Sequence, residues 1–382
     1  MEHTIKELHD MQAMTLHDKI EITKNRISQW KAYWEKKTED VVVSFSGGKD
    51  STVLLNIARE VDPDMRAVFI DTGLEYPEIR SFVKTYDNVD WIKPKLTFKE
   101  TCQKYGYPFF GKEVANKVRG ARKFINAVGT NNADDISLQN LYRGGTTSSI
   151  EQYEELASMP NAPMRLKCLC GKMKMKQEVD DGTDYSKYNC KKYEFMLDAP
   201  FEISEQCCDV MKKRPIHKYE KDNFCHSITA MMCSESRLRT QKWLKHGCNA
   251  FDLNNPQSNP MSFWTEDDVL AYLYLTKIPI ASVYGEIIID ENSDDKDESH
   301  IIFDSSIFDR PLLTTTGCKR TGCMFCGFGV QMEKSPNRFE IMKETHPKQY
   351  EYIMKSEEEG GLGYKDKIDW INEHGSKVHI NY

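Results

Sequence analysis

The chain has 382 residues, of which 39% are hydrophobic and 29% are charged, as in an ordinary globular protein. Its net charge of −7 argues against a protein that binds nucleic acid over its whole surface, but leaves room for a local basic patch. We expect no membrane span, because the sequence has neither an apolar run of about eighteen residues nor a signal-peptide pattern at its start. The twelve cysteines then favour a reducing, cytoplasmic location, in which thiols serve as metal ligands or catalysts more often than as disulfides.

In chain order, the first predicted element is a helix over residues 15–37, whose apolar residues share one face. Short apolar runs at 41–45, 67–70 and 89–92 predict strands, and helical patterns lie between them. Strands that alternate with helices imply right-handed βαβ crossovers and a parallel sheet. Ligands of such sheets bind at the carboxyl ends of the strands, and we therefore look there for a site.

The first strand runs into a tight glycine loop, Ser46-Gly47-Gly48-Lys49-Asp50-Ser51, after which a helical pattern begins at Thr52. Backbone N–H groups in such a loop, together with the helix dipole, form an anion site. The glycines permit positive φ and close approach of a phosphate, and the lysine adds a point charge. The spacing is not that of a Walker loop. The loop predicts a phosphate site, with an ordinary glycine turn as the alternative.

Further along, a helical pattern at 112–128 carries several basic residues, which we interpret as a solvated face rather than a nucleic-acid surface. A polar stretch at 129–163 is typical of a long insertion or mobile loop. The remaining expected elements are strands at 227–232 and 250–253, a helix over 260–274 capped by Thr265 with Asp268, an acidic hairpin tip at 290–298, and a helix near 337–355.

Two groups of cysteines suggest a metal centre. Cys207 and Cys208 follow Ser204, a candidate N-cap, while Cys323 and Cys326 follow Cys318 with C-x4-C-x2-C spacing among glycines. Four sulfurs from Cys207, Cys208, Cys323 and Cys326 can hold a [4Fe–4S] cluster, with Cys318 as a substitute ligand. A structural zinc on the same residues and unremarkable buried thiols are the alternatives. Cys168 and Cys170 can bind metal or form a dithiol pair, but their spacing is common and favours plain buried thiols.

Several motifs together resemble the PAPS reductase-like branch of the PP-loop superfamily of N-type ATP pyrophosphatases. This branch includes sulfonucleotide reductases, ATP sulfurylase small subunits and the PP-loop enzyme of DNA phosphorothioation. The matching residues lie in roughly 40–285 and are Ser46–Ser51, Asp71-Thr72-Gly73 with Glu75 and Pro77-Glu78, Glu235-Ser236 with Arg239, and Pro260, Trp264, Asp268-Val269 and Tyr272. The cysteine pairs also resemble the cluster signature of the iron–sulfur reductases.

The resemblance implies an α/β fold with a doubly wound, mostly parallel sheet of the PP-loop (adenine nucleotide α-hydrolase-like) type. We expect an N-terminal helical segment at 1–38, an ATP pyrophosphatase-like domain at 39–285 with an insertion near 129–195, and a cysteine-bearing C-terminal lobe at 286–382.

The resemblance also implies ATP and Mg²⁺ as ligands. Ser46, Gly47, Gly48, Lys49, Asp50 and Ser51 are expected to hold the pyrophosphate, and Asp71, Thr72 and Gly73 to line the adenosine. Lys49 would offset charge on the leaving group, Asp50 would help to place the metal, and Ser236 and Arg239 would face the same crevice.

The reductases differ from this chain in two ways. They carry Gly-x-Arg before the Glu/Gln-Ser element, where this chain has Ala230 and Met232, and they carry a catalytic cysteine in a C-terminal tail, whereas the last cysteine here is Cys326. We therefore expect adenylylation of a substrate for sulfur transfer, with a tRNA, DNA or small-molecule acceptor and a sulfur donor such as a cysteine desulfurase. The alternatives are a PAPS or APS reductase in which Cys168 or Cys170 replaces the tail cysteine, and a non-catalytic nucleotide- or nucleic-acid-binding regulator.

Overall fold

The computed structural model describes residues 3–131, 149–174 and 186–382. The chain packs as two compact units, one formed by Met1–Lys95 and Lys212–Met324 and the other by Leu96–Met211 and Phe325–Tyr382. The limits of these units differ from the boundaries expected at 38/39 and 285/286. Those three segments stay a prediction. Much of the predicted loop at 129–163 lies outside the described residues. Within the described part of the chain, no helix is both long and apolar enough to cross a membrane.

The first unit is built on a six-stranded sheet. Its strands are β1 Asp40–Ser44, β2 Arg66–Ile70, β3 Val89–Ile92, β5 Cys225–Ile228, β6 Asn249–Ala250 and β7 Gln257–Ser258. Their order is β3-β2-β1-β5-β7-β6, and all neighbours are parallel except β6 and β7. A separate hairpin pairs β8 Ile287–Ile289 with β9 Leu313–Thr315. The expected mostly parallel α/β sheet is confirmed.

Helices pack on this sheet and bury its apolar side chains. They are Ile5–Gln12, Leu16–Glu35, Lys49–Val61, Pro77–Val83, Arg214–Asn223, Arg237–His246 and Glu266–Thr276. Trp30 and Trp34, predicted to share a helix face, are both buried in the core. The strand predicted at 227–232 is observed at Cys225–Ile228, the residues that pair with Asp40–Val43 of β1. The strand predicted at 250–253 is likewise limited to Asn249–Ala250.

A buried charge cluster fixes the helix Glu266–Thr276 in the first unit. As predicted, Thr265 caps this helix, and its side chain accepts the N–H of Asp268. Asp268 is itself fully buried and accepts hydrogen bonds from Lys19 Nζ at 2.8 Å and from Arg310 Nη2 at 2.6 Å. Arg310 also contacts Asp267 at 3.0 Å. The cluster ties three distant stretches of the chain together.

The second unit is mainly helical. Its elements are helices Phe98–Tyr105, Lys112–Asn131, Ser149–Ser158, Met164–Leu169, Arg338–Thr345, Pro347–Met354 and Tyr364–His374, a 3₁₀ helix at Lys191–Leu197, and the parallel strands β4 Phe109–Phe110 and β10 Gly327–Phe328. Aromatic rings fill its core. The ring centres of Tyr364 and Phe109 are 5.1 Å apart, and the Tyr364 hydroxyl donates to the Phe325 carbonyl at 2.7 Å. The single helix expected at 337–355 is two helices, because Pro347 starts a new one and cannot continue the first.

Candidate functional site

The glycine loop after β1 has the geometry of an anion site. Gly47 adopts a φ of +72°, and a Cβ there would lie only 2.6 Å from Val83 Cγ2, so no other residue fits without displacement. The Ser46 N–H donates to Ser51 Oγ at 3.2 Å, and Ser51 Oγ donates to the Gly48 carbonyl at 3.0 Å. These bonds fold the loop over the start of the helix Lys49–Val61, whose first N–H groups and dipole attract negative charge.

A cleft of about 480 Å³ opens beside this loop within the first unit. Its wall is polar and includes several charged groups brought from different parts of the chain. The lining residues are Ser46, Gly48, Lys49, Asp50, Met232, Ser234, Glu235, Glu266, Tyr284, Lys319, Arg320, Thr321 and Gly322. Four of the six loop residues that we expected to hold the pyrophosphate, Ser46, Gly48, Lys49 and Asp50, therefore line a common cavity.

Lys49 supplies the central positive charge of the cleft. Its side chain is buried, and its ammonium group lies 3.0 Å from Glu266 Oε1 and 5.3 Å from the centre of the Tyr284 ring. Glu266 is half-exposed, so its carboxylate sits where an anionic ligand would arrive. The lysine is thus held in place by a carboxylate that a bound phosphate could replace.

Asp50 adds a carboxylate whose ionisation is tuned by its surroundings. Burial raises the pKa of Asp50 above its ordinary value, and the nearby Lys49 ammonium opposes this shift. Arg239 and Arg320 also lie close enough to favour the ionised form. An incompletely solvated carboxylate beside a phosphate site is suited to hold a hard cation such as Mg²⁺.

A second pocket, of about 370 Å³, adjoins the cleft and shares Ser46, Thr321 and Gly322 with it. It lies over the carboxyl ends of β1 and β2, where apolar side chains predominate in its wall. Ile70 and Glu75, which flank the predicted Asp71-Thr72-Gly73 motif, line this pocket. An apolar pocket next to a phosphate cleft has the composition expected for a nucleoside.

The Asp71-Thr72-Gly73 motif shapes the loop that borders this pocket. Glu75 accepts both the backbone N–H and the hydroxyl of Thr72, at 3.1 and 2.6 Å, and Gly73 has a φ of +75°. Asp71 is buried and accepts a hydrogen bond from Arg80 at 2.9 Å through Oδ2. Its other oxygen, Oδ1, is buried without a hydrogen-bond partner among the described residues. Asp71 is not among the residues that line either cavity, so its contact with a nucleoside stays a prediction.

The Glu235-Ser236 element borders the cleft, which is lined by Glu235 and by the preceding residue, Ser234. Ser236 caps the helix Arg237–His246 by accepting the N–H of Arg239, and the Arg239 guanidinium pairs with Glu235. Arg239 is thereby linked to the cleft through that carboxylate. Direct contact of Ser236 and Arg239 with a nucleotide stays a prediction.

Sequence reasoning missed several residues of the cleft, among them Glu266, Tyr284, Lys319, Arg320 and Thr321. Tyr284 and Thr321 share a hydrogen bond of 2.9 Å, and burial raises the pKa of Tyr284 to about 12. A basic residue between Gly317 and Gly322 indicates a possible anion contact for Arg320. We interpreted this segment as a metal-binding loop instead, because of the spacing of Cys318 and Cys323. For Tyr284 and Glu266 no local signal exists.

The four predicted metal ligands are distributed over both units. Cys207, Cys208 and Cys326 belong to the second unit and Cys323 to the first. The Ser204 hydroxyl accepts the Gln206 N–H at 3.0 Å in the turn before the cysteine pair, and its role as a helix N-cap stays a prediction.

In the second unit, burial raises the pKa of the Tyr364 hydroxyl, and Cys207 and Cys326 both lie within electrostatic range of it. All twelve cysteines are among the described residues, and none forms a disulfide. Across residues 3–131, 149–174 and 186–382, no group of three or more His, Cys, Asp or Glu side chains is arranged to hold a metal. The assignment of Cys207, Cys208, Cys323 and Cys326 as ligands of an iron–sulfur cluster or a zinc ion therefore stays a prediction.

Cys168 and Cys170 have the character of buried structural thiols. Both side chains are almost fully enclosed in the second unit, and burial raises the pKa of each thiol above its ordinary value. A thiol that ionises poorly is a weak nucleophile. This environment disfavours the alternative in which one of them replaces the tail cysteine of a reductase.

Three basic residues of the helix Lys112–Asn131 contact other residues of the second unit, while Lys112 and Lys123 are exposed. Lys117 lies 2.8 Å from Glu113 and donates to the Tyr188 carbonyl at 2.9 Å, while Arg119 pairs with Glu205 at 2.5 Å. Arg122 donates to the Phe201 carbonyl at 2.7 Å. These contacts favour the interpretation of a structural, solvated face over that of a nucleic-acid surface.

Comparison with known proteins places the chain in a family. Residues 40–133 and 169–327 match the phosphoadenosine phosphosulfate reductase domain. The match covers more than half of the chain, and the chain therefore belongs to this family, which confirms the resemblance seen in its motifs.

Individual relatives are similar over short stretches. An uncharacterized protein of Methanocaldococcus jannaschii is 40% identical over 100 residues, which is 24% of this chain and 24% of that protein. An adenosine 5'-phosphosulfate reductase of Staphylococcus epidermidis is 34% identical over 86 residues, 19% of this chain and 33% of the reductase. A tRNA(Ile)-lysidine synthase of Francisella tularensis is 30% identical over 80 residues, 21% of this chain and 17% of the synthase. The similarity spans a third or less of each of these relatives.

Proposed function

We propose that the chain is an ATP-dependent enzyme that transfers AMP to an acceptor and releases pyrophosphate. The observation that carries the proposal is the pairing of the 480 Å³ polar cleft at the glycine loop with the adjoining 370 Å³ apolar pocket. Together they match a triphosphate followed by a nucleoside. Membership of the phosphoadenosine phosphosulfate reductase family, whose PP-loop relatives bind nucleotides, supports ATP as the ligand.

In this proposal the loop residues Ser46–Ser51 hold the β- and γ-phosphates. An acceptor oxygen attacks the α-phosphorus, the bond between that phosphorus and the bridging oxygen breaks, and pyrophosphate leaves while the acceptor loses a proton. Lys49 exchanges Glu266 for the phosphates and offsets the charge that grows on the leaving group. Asp50 helps to place the Mg²⁺ that accompanies ATP.

The nucleoside would occupy the apolar pocket over β1 and β2. We assign the Asp71-Thr72-Gly73 loop to the nucleoside because its neighbours Ile70 and Glu75 line that pocket. Ser236 and Arg239 complete the proposed binding set, with Arg239 as a partner for a phosphate or carboxylate. A sulfur nucleophile, supplied by a donor protein such as a cysteine desulfurase, would then attack the acceptor atom that bears the adenylylated oxygen, so that the bond to this oxygen breaks and AMP leaves. The acceptor class includes tRNA, as in the lysidine synthase relative, and DNA.

The test is the identity of the products formed from ATP. Full-length protein is incubated with Mg²⁺ and ATP labelled in the α-phosphate, and we expect AMP or an AMP adduct with pyrophosphate. ADP with inorganic phosphate would contradict the proposal. Lys49→Ala removes one electrostatic contact in the transition state and should lower the rate by about two to three orders of magnitude. Wild-type turnover in this variant would show that the loop is only structural.

The products formed from ATP test the first alternative, and a second experiment tests the other. A regulator that only binds nucleotides would release no pyrophosphate. A sulfonucleotide reductase would form a covalent intermediate on a cysteine in a single turnover with labelled PAPS or APS, and the burial of Cys168 and Cys170 argues against either as that nucleophile.

A further inference from the structure

The segment Gly317–Met324, which we call the strap, crosses the nucleotide cleft and is anchored at both ends in the first unit. At one end the Gly317 N–H donates to the Tyr284 carbonyl at 2.8 Å, and at the other the Met324 N–H donates to the Leu74 carbonyl at 2.8 Å. Residues 319–322, between these anchors, line the phosphate cleft, and two of them also line the apolar pocket. The strap therefore borders both halves of the proposed nucleotide site.

The strap presents Arg320 to the wall of the phosphate cleft. Its guanidinium Nη2 lies 2.6 Å from Glu235 Oε1, although the arginine side chain is 64% exposed. The same carboxylate also pairs with Arg239 and accepts the Met232 N–H at 3.1 Å. Two guanidinium groups thus converge on one carboxylate, and the cluster retains a net positive charge beside the cleft.

Contacts within the strap fix the position of Arg320 relative to Lys49. The Cys318 thiol donates to the Arg320 carbonyl at 2.8 Å, and Thr321 Oγ1 shares a 2.9 Å hydrogen bond with the Tyr284 hydroxyl. The Tyr284 ring in turn lies below the Lys49 ammonium group. Arg320 and Lys49 are therefore held on walls of one cavity by a continuous set of contacts.

We infer that Arg320 is a further phosphate-binding residue, one that exchanges Glu235 for the phosphates of a nucleoside triphosphate. The inference rests on the proposed function. A planar guanidinium binds phosphate through two parallel hydrogen bonds, and an exposed ion pair such as Arg320 with Glu235 holds its partners weakly enough to be replaced. When Arg320 turns from Glu235 to the phosphates, the Glu235 carboxylate keeps its ion pair with Arg239 and is not left without a positively charged partner.

The test compares the binding of ATP, AMP and inorganic pyrophosphate by calorimetry on the full chain. In Arg320→Ala we expect the Kd for ATP and for pyrophosphate to rise roughly 10- to 100-fold, the effect of losing a charge-assisted contact. The Kd for AMP should change less than about threefold, because AMP lacks the β- and γ-phosphates. Arg320→Lys should recover part of the lost affinity, since lysine keeps the positive charge but lacks the parallel N–H donors of a guanidinium.

Arg237→Ala is the matched control, because Arg237 is an exposed arginine of the same unit outside both cavity linings. Unchanged ATP binding in Arg320→Ala would overturn the inference, and so would an equal loss for ATP and AMP, which would indicate a structural role of the strap. Failure of the wild-type protein to bind ATP would refute the proposed function and this inference together, whereas the first two outcomes leave the proposed function intact.

Discussion

The Lys49 ammonium group lies 3.0 Å from Glu266 Oε1 and is buried, whereas Glu266 is half-exposed. The two residues are 217 positions apart in the chain, and the fold joins them at the mouth of the phosphate cleft. Glu266 therefore compensates the charge of Lys49 when no anion is bound. A phosphate that enters the cleft has to compete with this carboxylate.

Glu266→Gln should consequently strengthen ATP binding. Removing a partly exposed competitor of this kind should lower the Kd about two- to fivefold at low salt, and the gain should shrink as salt screens the charges. Calorimetric titration with Mg²⁺-ATP measures the effect. Glu21→Gln is a suitable control, since Glu21 is a similarly exposed carboxylate that pairs with Lys24 at 3.0 Å and lines neither cavity. Weaker binding in Glu266→Gln would mean that Glu266 assists the nucleotide or its cation.

Asp50→Asn should make the protein more stable and its nucleotide site less effective. Burial raises the pKa of Asp50 above 3.8, so the folded protein binds this proton more tightly than the unfolded chain does. Stability is therefore lost as pH rises from the unfolded pKa through the raised folded pKa, and the loss persists at neutral pH. The asparagine removes this penalty, and we expect a higher melting temperature at pH 7 together with weaker Mg²⁺-dependent ATP binding.

The pH dependence provides the check on this assignment. The difference in melting temperature between Asp50→Asn and wild type should narrow as pH falls and should be smallest below the unfolded pKa of about 4, since the wild-type carboxyl is protonated in both states there. Asp252→Asn, at an exposed aspartate, should show no such trend. A melting temperature at pH 7 equal to or below that of wild type would show that Asp50 is not destabilised by burial.

The local parts of the site could be predicted from the sequence, and the parts made by distant residues could not. The strand, the glycine loop and the helix start are adjacent in the chain, so their spacing alone predicted an anion site at Ser46–Ser51. Glu266, Tyr284 and Arg320 reach the same cleft through tertiary packing, which no periodicity encodes. The cysteine spacing identified which sulfurs could act together but carries no information on the distances between their sulfur atoms.

The metal centre predicted at Cys207, Cys208, Cys323 and Cys326 can be tested with the variant Cys323→Ser. Protein purified without oxygen should contain about four iron and four sulfide per chain if a cluster is bound, or one zinc if the site is structural. Either metal should be lost in Cys323→Ser, with reduced C-terminal order, because loss of a ligand is also a loss of folding energy. Elemental analysis, absorbance spectra and proteolysis measure these effects. Cys190→Ser should retain the metal, and wild-type protein with neither metal would refute the assignment of all four cysteines.

Asp268→Ala should be among the most destabilising substitutions in the first unit. Asp268 is fully buried between Lys19 Nζ at 2.8 Å and Arg310 Nη2 at 2.6 Å, so the alanine leaves two buried cations without their shared carboxylate. Breaking a buried ion pair from one side costs about 3–5 kcal/mol, because the remaining charge keeps its desolvation penalty. The same substitution also removes the capping box that Asp268 forms with Thr265.

Tryptophan fluorescence during urea unfolding would report this loss, since the buried Trp264 donates to Thr23 Oγ1 at 3.0 Å on the helix that carries Lys19. The exposed Asp252→Ala controls for removal of an aspartate, and it should change the unfolding free energy by less than about 0.5 kcal/mol. A second variant separates charge from packing. Lys19→Met in the Asp268→Ala background removes one abandoned cation and should restore part of the stability. Equal stability of Asp268→Ala and Asp252→Ala would show that the buried cluster contributes nothing to the fold.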